Sequence, residues 1–307
     1  MIKIPRITYI IWLLAMMMVL CSCGTNTKII NPETPPSLAF GTDATFDVAT
    51  WNLRTFPVNG NTTLDHLARL IPLLKLELIA FQEINSHSAM IQLDERLADY
   101  SSYISEATSS YRLAYLYDNR SITVHDAYPI MMGMQNPFPR PPYVIHLTWR
   151  DEEIYVINNH LKAYGDNIID ETDEWDEERR RIMANQLLDQ YIVTNLPNDK
   201  VIVLGDFNDE IQEGPESNVF MAFINKPDEY YFTTMPIAQN ITYSNASYPT
   251  WPSHIDHILI TNELFDAFEA SGRYCRTIII ENAMGTWQNY YANVSDHRPV
   301  GLRLKFD

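Results

Sequence analysis

The sequence predicts an α/β domain, and three observations carry the prediction. Apolar runs of strand length recur along the chain, helical patterns fall between some of them, and several runs lack polar alternation, as strands buried on both faces do. Strand-like runs cover 46–53, 76–83, 113–117, 143–149, 154–160, 200–206, 254–261 and 299–306. Val201-Ile202-Val203-Leu204 is the clearest run of the doubly buried kind. A helix is expected over 64–76, where Leu64, Leu67, Leu70, Ile71 and Leu74 gather near one face and Pro72 weakens or shifts the pattern. A second is expected over 177–196, opening on acids as a helix N-terminus prefers, with Ile182, Leu187, Leu188, Tyr191 and Ile192 as its apolar set.

The first residues read as an export signal rather than as fold. Lys3 and Arg6 give a positive start, and residues 7–20 form an apolar run too short to span a bilayer comfortably. It ends in Leu20-Cys21-Ser22-Cys23-Gly24, which resembles a bacterial lipobox. That resemblance implies a lipoprotein signal peptide over 1–22, cleavage before Cys23 and a lipid on that cysteine. Residues 23–45 hold much Asn, Thr, Pro and Ser, and Pro32, Pro35 and Pro36 break any helix, so a flexible tether to the membrane is expected. The expected location is the bacterial envelope, lipid-anchored, on its periplasmic or its cell-surface face. Residues 46–307 show no second linker and no internal sequence repeat, which suits one large domain, expected as a monomer. With Cys23 lipidated, Cys275 has no intrachain disulfide partner, and the fold must stand on its core.

The formal net charge of −17 argues against tight binding of long polyanions, which usually uses a basic surface. It does not exclude an enzyme, which needs only local attraction and a bound cation.

Several strand-like runs end by switching to polar side chains, which is where an α/β domain usually places its site. Trp51-Asn52, Gln82-Glu83, Asn159-His160, Gly205-Asp206-Phe207-Asn208 and Ser295-Asp296-His297-Arg298-Pro299 each deliver a carboxylate, an amide or an imidazole, and Asp256 adds a sixth group. Glu83 follows Leu78-Ile79-Ala80-Phe81, so its carboxylate needs a partner; a hard cation with oxygen ligands is the natural one, with Asn52 as a neutral donor nearby. Asp206 and Asn208 project the same way if the chain stays extended, and can orient a water and hold a phosphate oxygen. Imidazole ordinarily titrates near the working pH, so His297 suits a general base, with Asp256 as the candidate carboxylate that fixes its tautomer. His160 is a second imidazole, for the leaving oxygen or for charge stabilisation. No His-Glu-x-x-His or paired-cysteine motif supports a zinc enzyme.

In this order the motifs resemble the endonuclease/exonuclease/phosphatase superfamily over about residues 46 to 306. The resemblance implies a four-layer α/β/β/α sandwich of two packed mixed β-sheets flanked by helices. It implies Mg²⁺ or Mn²⁺ held by Asn52 and Glu83, with Asp296 sharing. It assigns His297 with Asp256 as the base, Asp206 and Asn208 to the nucleophile and transition state, and His160 to the phosphate or leaving group. Arg140, in Pro139-Arg140-Pro141-Pro142, sits where the family often has a phosphate-contacting arginine.

Two departures stand out. The carboxylate that supports the His160-type imidazole in DNase I has no counterpart in Ser109-Ser110-Tyr111-Arg112-Leu113-Ala114, so a phosphate contact suits His160 better than proton donation. The DNA-groove arginine after Gln-Glu is replaced by Ile84-Asn85-Ser86. Asn159-His160-Leu161-Lys162-Ala163, an acidic loop over 166–178 and Arg179-Arg180-Arg181 look like bacterial extracellular nucleases, and the loop also admits a calcium-like (Ca²⁺) site. The expected activity is a metal-dependent phosphodiesterase, first an endonuclease on DNA or RNA outside the cytoplasm. The runner-up is a phosphatase or phosphodiesterase on a small or lipid phosphate, for which Phe138, Pro141, Pro142 and Tyr143 offer a greasy rim. A binding module that lost catalysis is the remote alternative.

Overall fold

The computed structural model describes residues 38–307; the expected signal peptide, Cys23 and most of the expected tether lie outside them. One sheet has the order β11-β12-β1-β2-β4-β3, from β1 (Phe46–Phe56), β2 (Leu78–Ile84), β3 (Tyr100–Ile104), β4 (Arg112–Asp118), β11 (Cys275–Thr277) and β12 (Val300–Leu304). The other has the order β5-β6-β7-β8-β10-β9, from β5 (Ile122–Pro129), β6 (Tyr143–Trp149), β7 (Glu152–His160), β8 (Val201–Asp206), β9 (Tyr230–Phe232) and β10 (Asp256–Thr261). Each sheet has a central parallel pair, β1 with β2 and β7 with β8, and its other pairings are antiparallel.

Helices close both outer faces. α1 (Gly60–Leu74) and α2 (His87–Glu95) bury Leu64, Leu67, Leu70, Ile71, Leu74, Met90 and Leu93 against the first sheet, joined by Tyr290 of α7 (Trp287–Asn293). α3 (Glu177–Asn195) places Ala184, Leu188 and Ile192 on the second, joined by Phe223 of α4 (Met221–Ile224). The short α5 (Met235–Ala238) and α6 (Phe265–Ala270) complete the shell. The expected four-layer sandwich is therefore what forms.

The inter-sheet core explains where the polar groups go. Strand side chains alternate, so Phe46 and Val48 of β1, Ile154 and Val156 of β7, Ile202 and Leu204 of β8, and Ile258 and Ile260 of β10 share the seam between the sheets. Further along that face stand Asn52, His160, Asp206 and Asp256. A polar bridge lies just inside them. Gln82 Nε2 donates to Asn158 Oδ1 (2.8 Å), and Asn158 Nδ2 donates to the carbonyls of Phe81 (3.0 Å) and Ala114 (3.2 Å). Gln82 and Asn158 thus satisfy one another across the two sheets, as buried polar groups must.

Three expectations are revised. Residues 38–45 belong to the domain rather than to a tether: Phe40 is buried, its N–H bonds to Leu74 O (2.9 Å) and its carbonyl accepts from Arg303. The first helix starts four residues earlier than expected and contains Pro72. Phe138, Pro142 and Tyr143 are buried and form no rim.

Candidate active site

The polar ends of the seam line a pocket of about 550 Å³, with Glu83, Arg140, His160, Asp206, Asn208, Asp296 and His297 on its wall. Asn52 and Asp256 stand directly behind, hydrogen-bonded to wall residues. The chain thus brings every expected residue from Asn52 onward to one place.

Asp206 is the centre. Strand register places it beside His160 of β7 and opposite Asp256 of β10. Its Oδ2 accepts from Asn52 Nδ2 (2.8 Å) and its Oδ1 from the Asn208 N–H (3.0 Å). Burial, and then the charge of Asp256, lift this carboxyl to about 7, against the pull of His297 and the Asn52 bond. The approach of β7 to β8 depends on Gly205, at φ +147°, where a Cβ would stand 2.0 Å from Asn159 O.

His297 Nδ1 lies 2.8 Å from Asp256 Oδ2, and its Nε2 lies 3.9 Å from Asp206 Oδ2. Burial opposes the imidazolium, yet the charge and hydrogen bond of Asp256, with Asp206 and Asp296, outweigh it and lift His297 to about 10. Its loop is pinned from several sides. Ser295 Oγ donates to Asn52 O (2.7 Å), the Tyr290 hydroxyl bonds to His297 O, and Arg298 donates to Glu281 and to the Tyr243 and Ala246 carbonyls. Ser247 Oγ receives the Ile255 and Asp256 N–H groups, while its carbonyl receives that of Arg298. Arg298, 1% exposed, therefore ties together the two loops that carry the dyad. The Asp-His-Arg-Pro string contained that residue, but its buried role was not readable from it.

Glu83 breaks the alternation of β2, where Gln82 already occupies the seam. A φ of +63° and register irregularities on both sides re-aim its carboxylate into the pocket. There Oε2 accepts from the Thr55 N–H (2.7 Å) and Oε1 from Asn52 Nδ2 (3.3 Å). Asn52 turns its N–H toward both carboxylates and gives its oxygen to the Arg54 N–H (2.8 Å). To serve as an oxygen ligand, this amide would have to turn over and release Arg54.

His160 Nε2 faces Asp206 Oδ2 (3.6 Å) and Glu83 Oε1 (3.9 Å), while its buried Nδ1 has no hydrogen-bond partner among the described residues. Burial, with Arg140 and His297, holds this imidazole well below its ordinary value, so it is neutral. The missing carboxylate support expected from the sequence is thus a feature of the structure. Arg140 stands over the Tyr111 ring (5.4 Å) and reaches Leu161 O (3.4 Å).

Sequence reasoning missed Arg54, Tyr111, Tyr164 and Tyr248 at the pocket. Arg54 lies two residues past Asn52, where the left-handed backbone of Arg54 and Thr55 turns the chain, and it packs over Tyr291 (4.3 Å). Tyr164, 86% exposed, is held by Arg181, which donates to the carbonyls of Lys162 (2.8 Å) and Tyr164 and pairs with Asp209 (2.7 Å) and Glu178 (3.0 Å). Arg180 and Arg181 of the arginine-rich helix are buried and support loops rather than facing a ligand. His254 is buried and absent from the pocket wall.

For a cation, Glu83 and Asp296 present oxygen donors at the wall, a set that fits a hard divalent ion. Ligand atoms of Asp206, Asp256 and His297 also lie within 4.8 Å of one another, though two of these groups already bond to each other. In the acidic loop, Asp170, Asp173 and Asp176 accept backbone N–H groups at turns and at the cap of α3, and no three metal-ligating side chains of the loop converge among the described residues.

A family model, Endonuclease/Exonuclease/phosphatase family, matches residues 49–297. The chain belongs to that family. Its members are phosphoric ester hydrolases, usually metal-dependent, and a phosphodiesterase fits the pocket. Among solved structures of the same fold, TDP2 of D. rerio complexed with single strand DNA product matches with TM-score 0.61 and 14% identity, over 86% of this chain and 100% of that one. The human Nocturnin catalytic domain with bound sulfate matches with TM-score 0.60 and 14% identity, over 86% and 95%. A family protein from Bacteroides thetaiotaomicron matches with TM-score 0.58 and 15% identity, over 86% and 98%. Comparison with curated proteins gives no match.

Proposed function

We propose that the chain is a metal-dependent phosphodiesterase that cleaves nucleic acid strands outside the cytoplasm, tethered by a lipid on Cys23. The observation that carries the reading is the joining, in one pocket, of the His297–Asp256 dyad, the Asp206–Asn208 pair and the Glu83–Asp296 wall. Glu83 and Asp296 would hold Mg²⁺ or Mn²⁺, with Asn52 joining if its amide turns. Bound there, such an ion would supply positive charge to polarise the phosphoryl group and to oppose the charged form of His297.

The chain's own residues do the rest. His297 Nε2 takes the proton of the attacking water, while Asp256 holds Nδ1 and the tautomer. Asp206 and Asn208 orient that water. Arg140 and neutral His160 donate to phosphate oxygens. Tyr111, Tyr164 and Tyr248 offer aromatic faces to bases, which stack on such platforms without sequence preference. The solved complex of TDP2 with single strand DNA product supports a nucleic acid on this fold.

One observation favours the second reading, a lipid phosphate. Met132, Ile168 and Trp175 are 58%, 65% and 57% exposed on two loops beside the pocket, linked by Asn136 Nδ2 to Glu174 O (2.6 Å). Plasmid, single-stranded DNA, RNA, sphingomyelin and p-nitrophenyl phosphates, each with Mg²⁺ and with chelator, separate the two. Metal-dependent cleavage of DNA or RNA, lost in His297→Ala, is the expected result. Turnover of lipid alone would overturn the nuclease reading, and activity surviving both His297→Ala and Glu83→Ala would overturn the mechanism. Fatty-acid labelling that depends on Cys23 tests the anchor.

A further inference from the structure

The second sheet carries a separate donor cluster at its other end. Glu153 lies seven residues before His160 on β7, roughly 23 Å away at about 3.3 Å per strand residue. Its neighbours are His125 of β5 and His146 of β6, and one ligand atom from each of the three lies within 4.8 Å of the others. Elsewhere on the outer face of this sheet, Val144, Ile157, Val201 and Val203 pack beneath α3. This corner is open: His125 and Glu153 are exposed and His146 is half-buried.

The register explains the convergence. β5 and β6 slip between Val124 and Asp126, so His125 falls in the irregularity and turns onto β6. There His125 Nε2 lies 2.7 Å from Thr148 Oγ1, and its ring centroid lies 4.7 Å from that of His146. His146 stacks flat on Tyr155 of β7, at 4.1 Å and 3°. That stacking fixes the ring, yet its buried Nε2 has no hydrogen-bond partner among the described residues. Glu153, two residues before Tyr155, shares its face of the strand.

We propose that His125, His146 and Glu153 form a transition-metal site, taking Zn²⁺ in preference to Mg²⁺, that clamps edge strand β5 to β6 and β7. Two imidazoles and a carboxylate suit Zn²⁺, and suit hard oxygen-seeking ions poorly. With the His146 ring fixed, exposed His125 and Glu153 would turn to draw the three atoms to bonds of about 2 Å on the ion. Burial, with the neighbouring His125, holds the His146 imidazole below its ordinary value. Asp126 and Asp199 add negative field around the cluster.

The site is independent of the catalytic pocket and is tested apart from it. Full-length protein with saturating Mg²⁺ is titrated with Zn²⁺, and with Co²⁺ as a spectroscopic probe. The expected result is one Zn²⁺ per chain, a Co²⁺ absorption band of low-coordinate N/O type, and a rise in Tm. His146→Ala and His125→Ala each weaken binding at least tenfold and leave Mg²⁺-dependent hydrolysis unchanged. His125, exposed on the edge strand, keeps the test decisive if His146→Ala misfolds. Binding unchanged in His125→Ala, or Zn²⁺ lost only in Glu83→Gln or Asp206→Asn, would overturn the proposal.

Discussion

The two central parallel strand pairs make the same delivery in different ways. β1 and β2 bring Asn52 and Glu83; β7 and β8 bring His160 and Asp206. The Glu83 side chain is 19% exposed and that of Asp206 2%. Glu83 reaches the pocket through a left-handed residue that breaks strand alternation, whereas Asp206 simply continues the seam. A carboxylate that keeps a solvent face can exchange ligands. One sealed from water beside a second carboxylate is driven toward neutrality, against the pull of His297. On the proposed reading, the first pair holds the cation and the second handles a water and a proton.

The largest expected effects separate the halves. His297→Ala and Asp206→Ala should lower kcat by about 10³-fold or more, at any Mg²⁺ concentration. Glu83→Gln should lose comparable activity but recover part of it at high Mn²⁺, measured as rate against metal. Equal behaviour of the two would erase the division. Asp256→Asn should cost about 10²–10³-fold and alter the pH profile. The neutral form of His297 is the active one, so rate rises with pH through its pKa. Removing Asp256, which raises that pKa, should move the rising limb to lower pH. A limb that stays put would show that another group titrates.

Gly205→Ala should destabilise the fold by about 2–4 kcal/mol by denaturant unfolding, since it strains the backbone and meets Asn159. The smallest effect is on metal-free stability against pH. Burial lifts Asp206 to about 7 and Glu77 to about 8, above their unfolded values. Their contribution is full below about 4, and it is lost as pH rises through 7 and 8. His297, held at about 10, adds a loss above 6.5. Tm should fall between pH 6.5 and 9, and Glu77→Gln should flatten that slope.

Legibility from sequence followed burial. All eight expected strands exist, because each pairs on both sides or lies over a core. The four that were missed, β3, β5, β9 and β11, are the four sheet edges. Edge strands such as Tyr100-Ser101-Ser102-Tyr103-Ile104 need no continuous apolar run, and β9 and β11 are three residues long. At the site, the groups that end a strand run were visible. Those that depend on loop closure were not: Arg298 and Arg181 stand in strings that carry no sign of their burial as clamps. Tyr164 stood in a loop whose path no period records. Asn52 was legible as a site residue, but its amide orientation depends on its neighbours.

The central claim is that the cation belongs to the Glu83 side of the pocket. Calorimetric titration with Mg²⁺ of the wild-type chain, Glu83→Gln and Asp256→Asn tests it directly. The account predicts that Glu83→Gln weakens binding at least tenfold while Asp256→Asn binds as wild type does. Retained binding in Glu83→Gln, with loss in Asp256→Asn, would place the ion on the Asp206–Asp256–His297 cluster and contradict it.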